Sequence, residues 1–297
     1  MLAHPRLQWE RDGCDWPHRH VSSFVQAGGV HWHVQRLGLP AGQGPLALLL
    51  HGTGASTHSW RHLVPLLSPH FSLIVPDLPG HAFSSRPPAD GMSLTGMARA
   101  LAALLAKLEA RPVLAVGHSA GAAIALRMSL DGLLNPAAIV AINGALVPFG
   151  GLPGRVFAPV ARVLAAQSWV PEVFARRAAR PAVLERLIEA TGSTLDAEGM
   201  ALYGRLVRSP GHAAGALAMM ANWDLASLQR DLPRLRQPLH LLVGGNDRTV
   251  SPRQAEQTRA LLPGTTLRVF PGLGHLAHEE QPALLAEPVL ALGRELT

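Results

Sequence analysis

Six short strand-prone runs recur along the chain, most of them apolar, and each closes in a turn rich in glycine or polar residues. Leu46 to Leu50 ends in His51-Gly52-Thr53-Gly54, and Phe71 to Val75 ends in Pro76-Asp77-Leu78-Pro79-Gly80-His81. Val113 to Val116 ends in Gly117-His118-Ser119-Ala120-Gly121, and Ala137 to Ile142 ends in Asn143-Gly144. Pro238 to Val243 ends in Gly244-Gly245-Asn246-Asp247-Arg248, and Thr266 to Phe270 ends in Pro271-Gly272-Leu273-Gly274-His275. Runs without polar alternation suit strands buried on both faces, as in a parallel sheet. Helical spacing follows several of them: through Trp60, Leu63 and Leu67, from a Ser93 N-cap to about Ala110, along the alanine-rich stretch after Ser119, and over Pro252 to Leu262.

Upstream, Ser22 to Ala27 and Val30 to Leu37 flank Gly28-Gly29 and predict a hairpin. His31 and His33 alternate on one face of its second strand. With no third ligand near in sequence, they are expected on a solvated face rather than at a metal. Met1 to His20 has no clear period and predicts an extended arm packed on the domain. From Leu146 to Trp223 the pattern changes: prolines at 148, 153, 159, 171 and 181 break helix-length segments, and no strand is convincing. The expected organisation is a core over 1–145 with its arm at 1–20, a helical cap over 146–223, and the rest of the core over 224–297.

The run into Gly-His-Ser-Ala-Gly carries the first piece of chemistry. A strand, a sharp turn and a helix place Ser119 at the tip, in a strained backbone that lifts its hydroxyl clear. Glycines two residues either side remove side chains that would collide. The Ala120 amide opens a helix, where unsatisfied N–H groups favour an anion. The Thr53 amide, in the glycine-rich turn after another strand, is the candidate second oxyanion donor. Asp247 and His275 follow two later strands and reach the same sheet edge. Serine needs a base that titrates near neutrality, and an acid must hold that base in one tautomer. Hence Ser119, His275 and Asp247 are the candidate nucleophile, base and acid. His278 is the rival base, a helical turn further on. Asp77 is the rival acid, although an acid beside prolines and glycine more often ties down backbone amides. His81 and His118 read as loop or pocket-rim residues.

Composition narrows the classes. At 297 residues and 48% hydrophobic, the chain can bury a large core. No apolar run approaches a membrane span, and the N-terminus has no apolar segment of the secretory kind. Cys14 is the only cysteine, which excludes an intramolecular disulfide and suits a cytoplasmic protein. The net charge of +6 rests on arginine, with Lys107 the only lysine. Without basic runs interleaved with aromatics, nucleic acid is not expected as a partner. No metal or cofactor is expected. Phe149, Met219 and Trp223 of the cap, with His118, are the candidate substrate contacts. Cap arginines, among them Arg155, Arg162, Arg176, Arg177 and Arg205, suggest either a solvated face or a surface that reads carboxylates.

These motifs resemble those of the α/β-hydrolase superfamily over essentially the whole chain. A serine at 119 argues against dehalogenases and epoxide hydrolases, which carry aspartate there. One departure is Ala82, where a glycine usually follows the Pro-Gly-His turn; its effect is expected to be small. A narrower resemblance rests on Arg11-Asp12-Gly13-Cys14-Asp15-Trp16-Pro17, Trp32-His33-Val34-Gln35, His51-Gly52-Thr53-Gly54-Ala55-Ser56-Thr57-His58-Ser59-Trp60, Leu130-Asp131-Gly132-Leu133 and Thr191-Gly192-Ser193-Thr194-Leu195-Asp196. On these the chain is similar to the magnesium-chelatase accessory proteins of bacteriochlorophyll biosynthesis in photosynthetic bacteria. The resemblance implies an α/β-hydrolase fold serving magnesium insertion into protoporphyrin IX, with a porphyrin or another small molecule as ligand and magnesium chelatase subunits as partners. Two roles stay open: a serine hydrolase of an ester, thioester or C–C bond, and a binding role in which cap and cleft hold a porphyrin.

Overall fold

Buried strands in this chain pair as their patterns demand. In the computed structural model, which describes residues 4–148, 160, 163, 164 and 167–295, eight strands form one sheet in the order β1-β2-β4-β3-β5-β6-β7-β8. They are β1 (Ser22–Ala27), β2 (Val30–Gly38), β3 (Leu46–Leu50), β4 (Ser72–Pro76), β5 (Leu114–His118), β6 (Ala138–Ile142), β7 (Leu239–Gly244) and β8 (Thr266–Phe270). β1 and β2 run antiparallel, β2 runs antiparallel to β4, and every later pair is parallel. The carboxyl ends of the parallel strands therefore share one edge, where ligands bind in open α/β sheets.

Successive side chains of a strand point to opposite faces, which divides the core in two. Leu48, Leu50, Ala115, Ile139, Ala141 and Leu241 pack on one face. They meet α3 (Leu94–Lys107) and α4 (Ala120–Leu130) there. Leu49, Val116, Val140 and Ile142 pack on the other face, against α2 (Val64–Leu67) and a C-terminal helix. Ser93 caps α3, its Oγ accepting the Gly96 N–H at 3.0 Å.

Three local expectations need correction. The arm is not extended: it holds a helical turn, α1 (Trp9–Asp12), whose Asp12 carboxylate accepts the Gln8 amide at 2.7 Å. The helix expected through Trp60 and Leu67 is broken into a 3-10 turn (Thr57–Trp60) and α2. Pro65 has no N–H to join the two pieces. His33 does not face solvent: it is fully buried, with Nδ1 2.7 Å from Asp77 Oδ2.

Among the described residues between β6 and β7, the regular elements are all helical. They are α5 (Val170–Ala178), α6 (Pro181–Glu189), α7 (Ala197–Val207), α8 (Pro210–Ala221) and α9 (Leu225–Asp231). After β7 come α10 (Pro252–Leu261), α11 (Ala277–Glu280) and α12 (Pro282–Glu295). α8 touches the core where Gly215 lies on the backbone of Gly80, so that a Cβ at 215 would coincide with the Gly80 carbonyl. Gly215→Ala is expected to push α8 off the loop after β4 and to cost about 1–3 kcal/mol of stability. Urea denaturation measures this, and an unchanged midpoint would contradict the contact.

Candidate active site

Ser119 stands at the junction of β5 and α4 with φ 51° and ψ −116°, a conformation costly for any residue but glycine. The cost is tolerated because backbones on both sides close in. A Cβ at Gly117 would strike Ala122, and one at Gly121 would strike the Leu50 carbonyl. Glycine is thus required by close approach to a neighbouring strand as well as by the turn. The amides of Thr53 and Ala120 have no protein acceptor among the described residues. The Thr53 turn is held by two histidines. His51 donates Nδ1–H to the Gly52 carbonyl at 2.8 Å and accepts the Leu78 amide on Nε2 at 2.8 Å. His212 of α8 donates Nε2–H to the Gly54 carbonyl at 3.0 Å and accepts the Ala82 amide on Nδ1 at 3.0 Å. Ala82 takes φ 40°, the left-handed region that glycine occupies freely, so its departure from the usual glycine places strain next to the site.

Asp247 and His275 meet at 2.8 Å, Nδ1 to Oδ2. The other oxygen, Oδ1, accepts the amides of Thr249 and Val250, each at 2.8 Å. The carboxylate is therefore locked with one oxygen on the imidazole, and a carboxylate there demands that Nδ1 carry the proton. Nε2 is left as the free base. His278, the rival base, is fully buried with Nε2 2.7 Å from Ser59 Oγ. Burial first, then His275 and Arg61, push its pKa down to about 3. Asp77 is committed to His33 and to the Thr57 and Phe83 amides. Burial alone would raise it, but His33, His51 and the Thr57 amide together outweigh burial and hold it at about 2.

One contributor was not recognisable in the sequence. Asn143, at the end of β6 with φ 46°, donates from Nδ2 to the carbonyls of Gly274 and His275 at 2.9 and 2.8 Å. Its Oδ1 accepts the Gly244 amide at 2.7 Å. The His275 carbonyl also receives Nε2–H of His118 at 2.8 Å. A lone asparagine after a strand is a sign of the left-handed region, but not of which loops it joins.

Ser119, His275, Thr53, Ala120, His118 and Trp223 line one cavity of about 390 Å³, together with apolar side chains from the helices between β6 and β7. Asp247 lies behind His275. Met219 is fully buried, its sulfur receiving the Thr53 hydroxyl at 3.3 Å. Met220 lines the cavity instead, since one residue along a helix turns the side chain by about 100°. Phe149, Arg155 and Arg162 lie outside the described residues. Arg176 and Arg177 are exposed, and Arg205 pairs with Asp15. Among the described residues no arginine lines the cavity.

A family model described as "Alpha/beta hydrolase family" matches residues 47–287. The chain is 41% identical over 265 residues to the "Magnesium-chelatase 30 kDa subunit" of Rhodobacter capsulatus, covering 89% of this chain and 92% of that one. It is 28% identical to a "Pimeloyl-[acyl-carrier protein] methyl ester esterase" of Vibrio vulnificus, over 88% of this chain and 97% of the esterase. In structure it is similar to an alpha/beta hydrolase fold protein from Burkholderia ambifaria, with TM-score 0.75, 20% identity and coverage of 97% and 99%.

Two predictions follow from the hydrogen bonds and burial. Asn143→Ala strips the Gly244 amide and the Gly274 carbonyl of their partner and places alanine at a positive φ. A loss of about 2–4 kcal/mol is expected in chemical denaturation, and a loss below about 1 kcal/mol would refute the bracket. The second concerns pH. Burial above all lowers the pKa values of His51, His58, His81 and His118, takes His212 to about 4 and His278 to about 3. Unfolded histidines bind protons near 6.5, so the stability from burying them neutral is complete above that pH. It drains as pH falls toward the folded values, by about 1.4 kcal/mol per unit for each histidine inside its window. Urea midpoints are expected to be flat from pH 7 to 8 and to fall steeply below about 6.5; a flat profile to pH 5 would refute this.

Proposed function

The chain belongs to the alpha/beta hydrolase family, and from that premise we propose that it is a serine hydrolase serving magnesium insertion into protoporphyrin IX in bacteriochlorophyll biosynthesis. The observation that carries the hydrolase reading is the 2.8 Å contact of His275 Nδ1 with an Asp247 carboxylate whose other oxygen is already bound, on the cavity that Ser119 lines. The likeness to the Rhodobacter capsulatus subunit supports the place in magnesium insertion.

In this reading Ser119 Oγ adds to an ester or thioester carbonyl while His275 Nε2 takes the hydroxyl proton. Asp247 stabilises the imidazolium without accepting its proton. The carbonyl oxygen becomes an oxyanion between the Thr53 and Ala120 amides, each worth about 3–4 kcal/mol in comparable sites. His275 then returns the proton to the leaving alcohol or thiol. Water, deprotonated by the same imidazole, releases the acid and restores Ser119. The apolar cavity favours a substrate that is neutral and apolar around the reacting carbonyl, in line with the absence of lining arginines among the described residues.

Asp247→Asn is expected to reduce turnover of a p-nitrophenyl ester by about four powers of ten, because the wrong tautomer of His275 then faces Ser119. Near-normal turnover would remove Asp247 from the acid's role. In a reconstituted magnesium chelatase assay with protoporphyrin IX, wild type is expected to raise the rate and Ser119→Ala to leave it unchanged. Equal stimulation by both would assign a non-catalytic binding role. Stimulation by neither, with ester hydrolysis intact, would leave a hydrolase unrelated to porphyrin.

A further inference from the structure

Large hydrophobic side chains normally reach a protein surface singly. Here Val160, Val163, Leu164, Trp169, Val173 and Phe174 are six of the thirteen exposed among the described residues, crowded into one short stretch. Helix α5 shows how the pattern arises. Its inward stripe is Pro171, Ala175 and Ala178, spaced by four and three residues as one helix face requires. The opposite stripe carries Trp169, 58% exposed, and Val173, 39% exposed, and continues into the exposed Arg176 and Arg177, with exposed Arg180 just beyond the helix end. None of those arginines makes an ion pair or side-chain hydrogen bond among the described residues. The one acid within α5, Glu172, is held 3.1 Å from His4 Nδ1. Phe174 belongs to two environments at once, lining the Ser119 cavity and standing 38% exposed.

We propose that this face of α5 docks on the surface of an anionic lipid bilayer. Trp169 and Val173 enter the boundary between headgroups and acyl chains, and Arg176, Arg177 and Arg180 meet lipid phosphates. An indole beside aliphatic side chains, followed on the same stripe by unpaired cations, is the arrangement interfacial helices use. The position at the cavity decides between lipid and protein. A protein partner seated here would cover Phe174, which joins the cavity lining to the surface, whereas a bilayer can deliver an apolar substrate beside it. No described helix is long and apolar enough to cross a membrane, so the contact is with the surface alone. Docking does not depend on Ser119 being a nucleophile, so the two readings fail separately.

The test is co-sedimentation of the full chain with vesicles of phosphatidylcholine, with and without about a quarter phosphatidylglycerol, at low and high salt. Binding to the anionic vesicles is expected to be at least about tenfold tighter than to the neutral ones and to weaken with salt. The pair Trp169→Ser with Val173→Ser, and separately Arg176→Glu with Arg177→Glu, are each expected to lower it by about tenfold or more. Both pairs should stay folded with a cooperative thermal transition, since none of the four side chains is buried. Failure of wild type to bind anionic vesicles, or undiminished binding by either pair, would overturn the proposal. So would binding of a chelatase subunit that needs these residues while vesicles are ignored.

Discussion

The carbonyl oxygen of His275 sits between two buried donors, Asn143 Nδ2 and His118 Nε2, and the rest of the site depends on that grip. A histidine at the tip of a glycine-rich loop has too much freedom to serve as a base unless its backbone is held as well as its ring. Asn143 spans the ends of β6 and β7 and the loop after β8, and His118 is the residue just before the serine. The same few hydrogen bonds therefore fix the candidate base relative to the candidate nucleophile. They require a proton on His118 Nε2, because a carbonyl only accepts, and the neutral ring in that tautomer meets the demand. Burial, with His278 and His275 beside it, drives the His118 pKa well down and maintains that state.

A second set of contacts ties the helices between β6 and β7 to the sheet. Arg61 is 4% exposed and binds Glu279 Oε2 at 2.6 Å and Asp196 Oδ1 at 2.8 Å. Tyr203 of α7 donates its hydroxyl to Glu279 Oε1 at 2.8 Å. Burial raises the Glu279 pKa more than Arg61, Ser59 and Tyr203 lower it. A buried pair of this kind contributes little net stability. What it does impose is position: Tyr203 lines the cavity while its hydroxyl is bound four residues beyond His275. Together with the Gly215–Gly80 approach and the His212 bond to Gly54, it holds cavity wall and candidate oxyanion turn in one piece.

Strand ends were legible in the sequence because each strand-prone run closes in a turn with glycine, and three of those turns carry Ser119, Asp247 and His275. The pairing of these ends on one edge followed from parallel topology. What escaped was set by contacts distant in sequence. His33 reads as a solvated position by alternation, yet its partner Asp77 lies in another loop and the arm places Trp9 against its ring. Asn143 reads only as a strand end without a carboxylate, since nothing local announces the loop 131 residues away that it holds. Met219 and Met220 are equivalent by composition, and only the phase of α8 decides which meets the cavity. Ala82 was visible as a departure, but its positive φ is a fact of tertiary structure.

The account stands or falls on whether Ser119 is activated by the imidazole that Asn143, His118 and Asp247 hold in place. The most direct measurement is reaction of the folded protein with a fluorophosphonate near neutral pH, followed by mass spectrometric mapping of the adduct. The account predicts a single adduct on Ser119, absent from a folded His275→Ala variant. Folded wild-type protein that forms no adduct, or carries it on another residue, would contradict it.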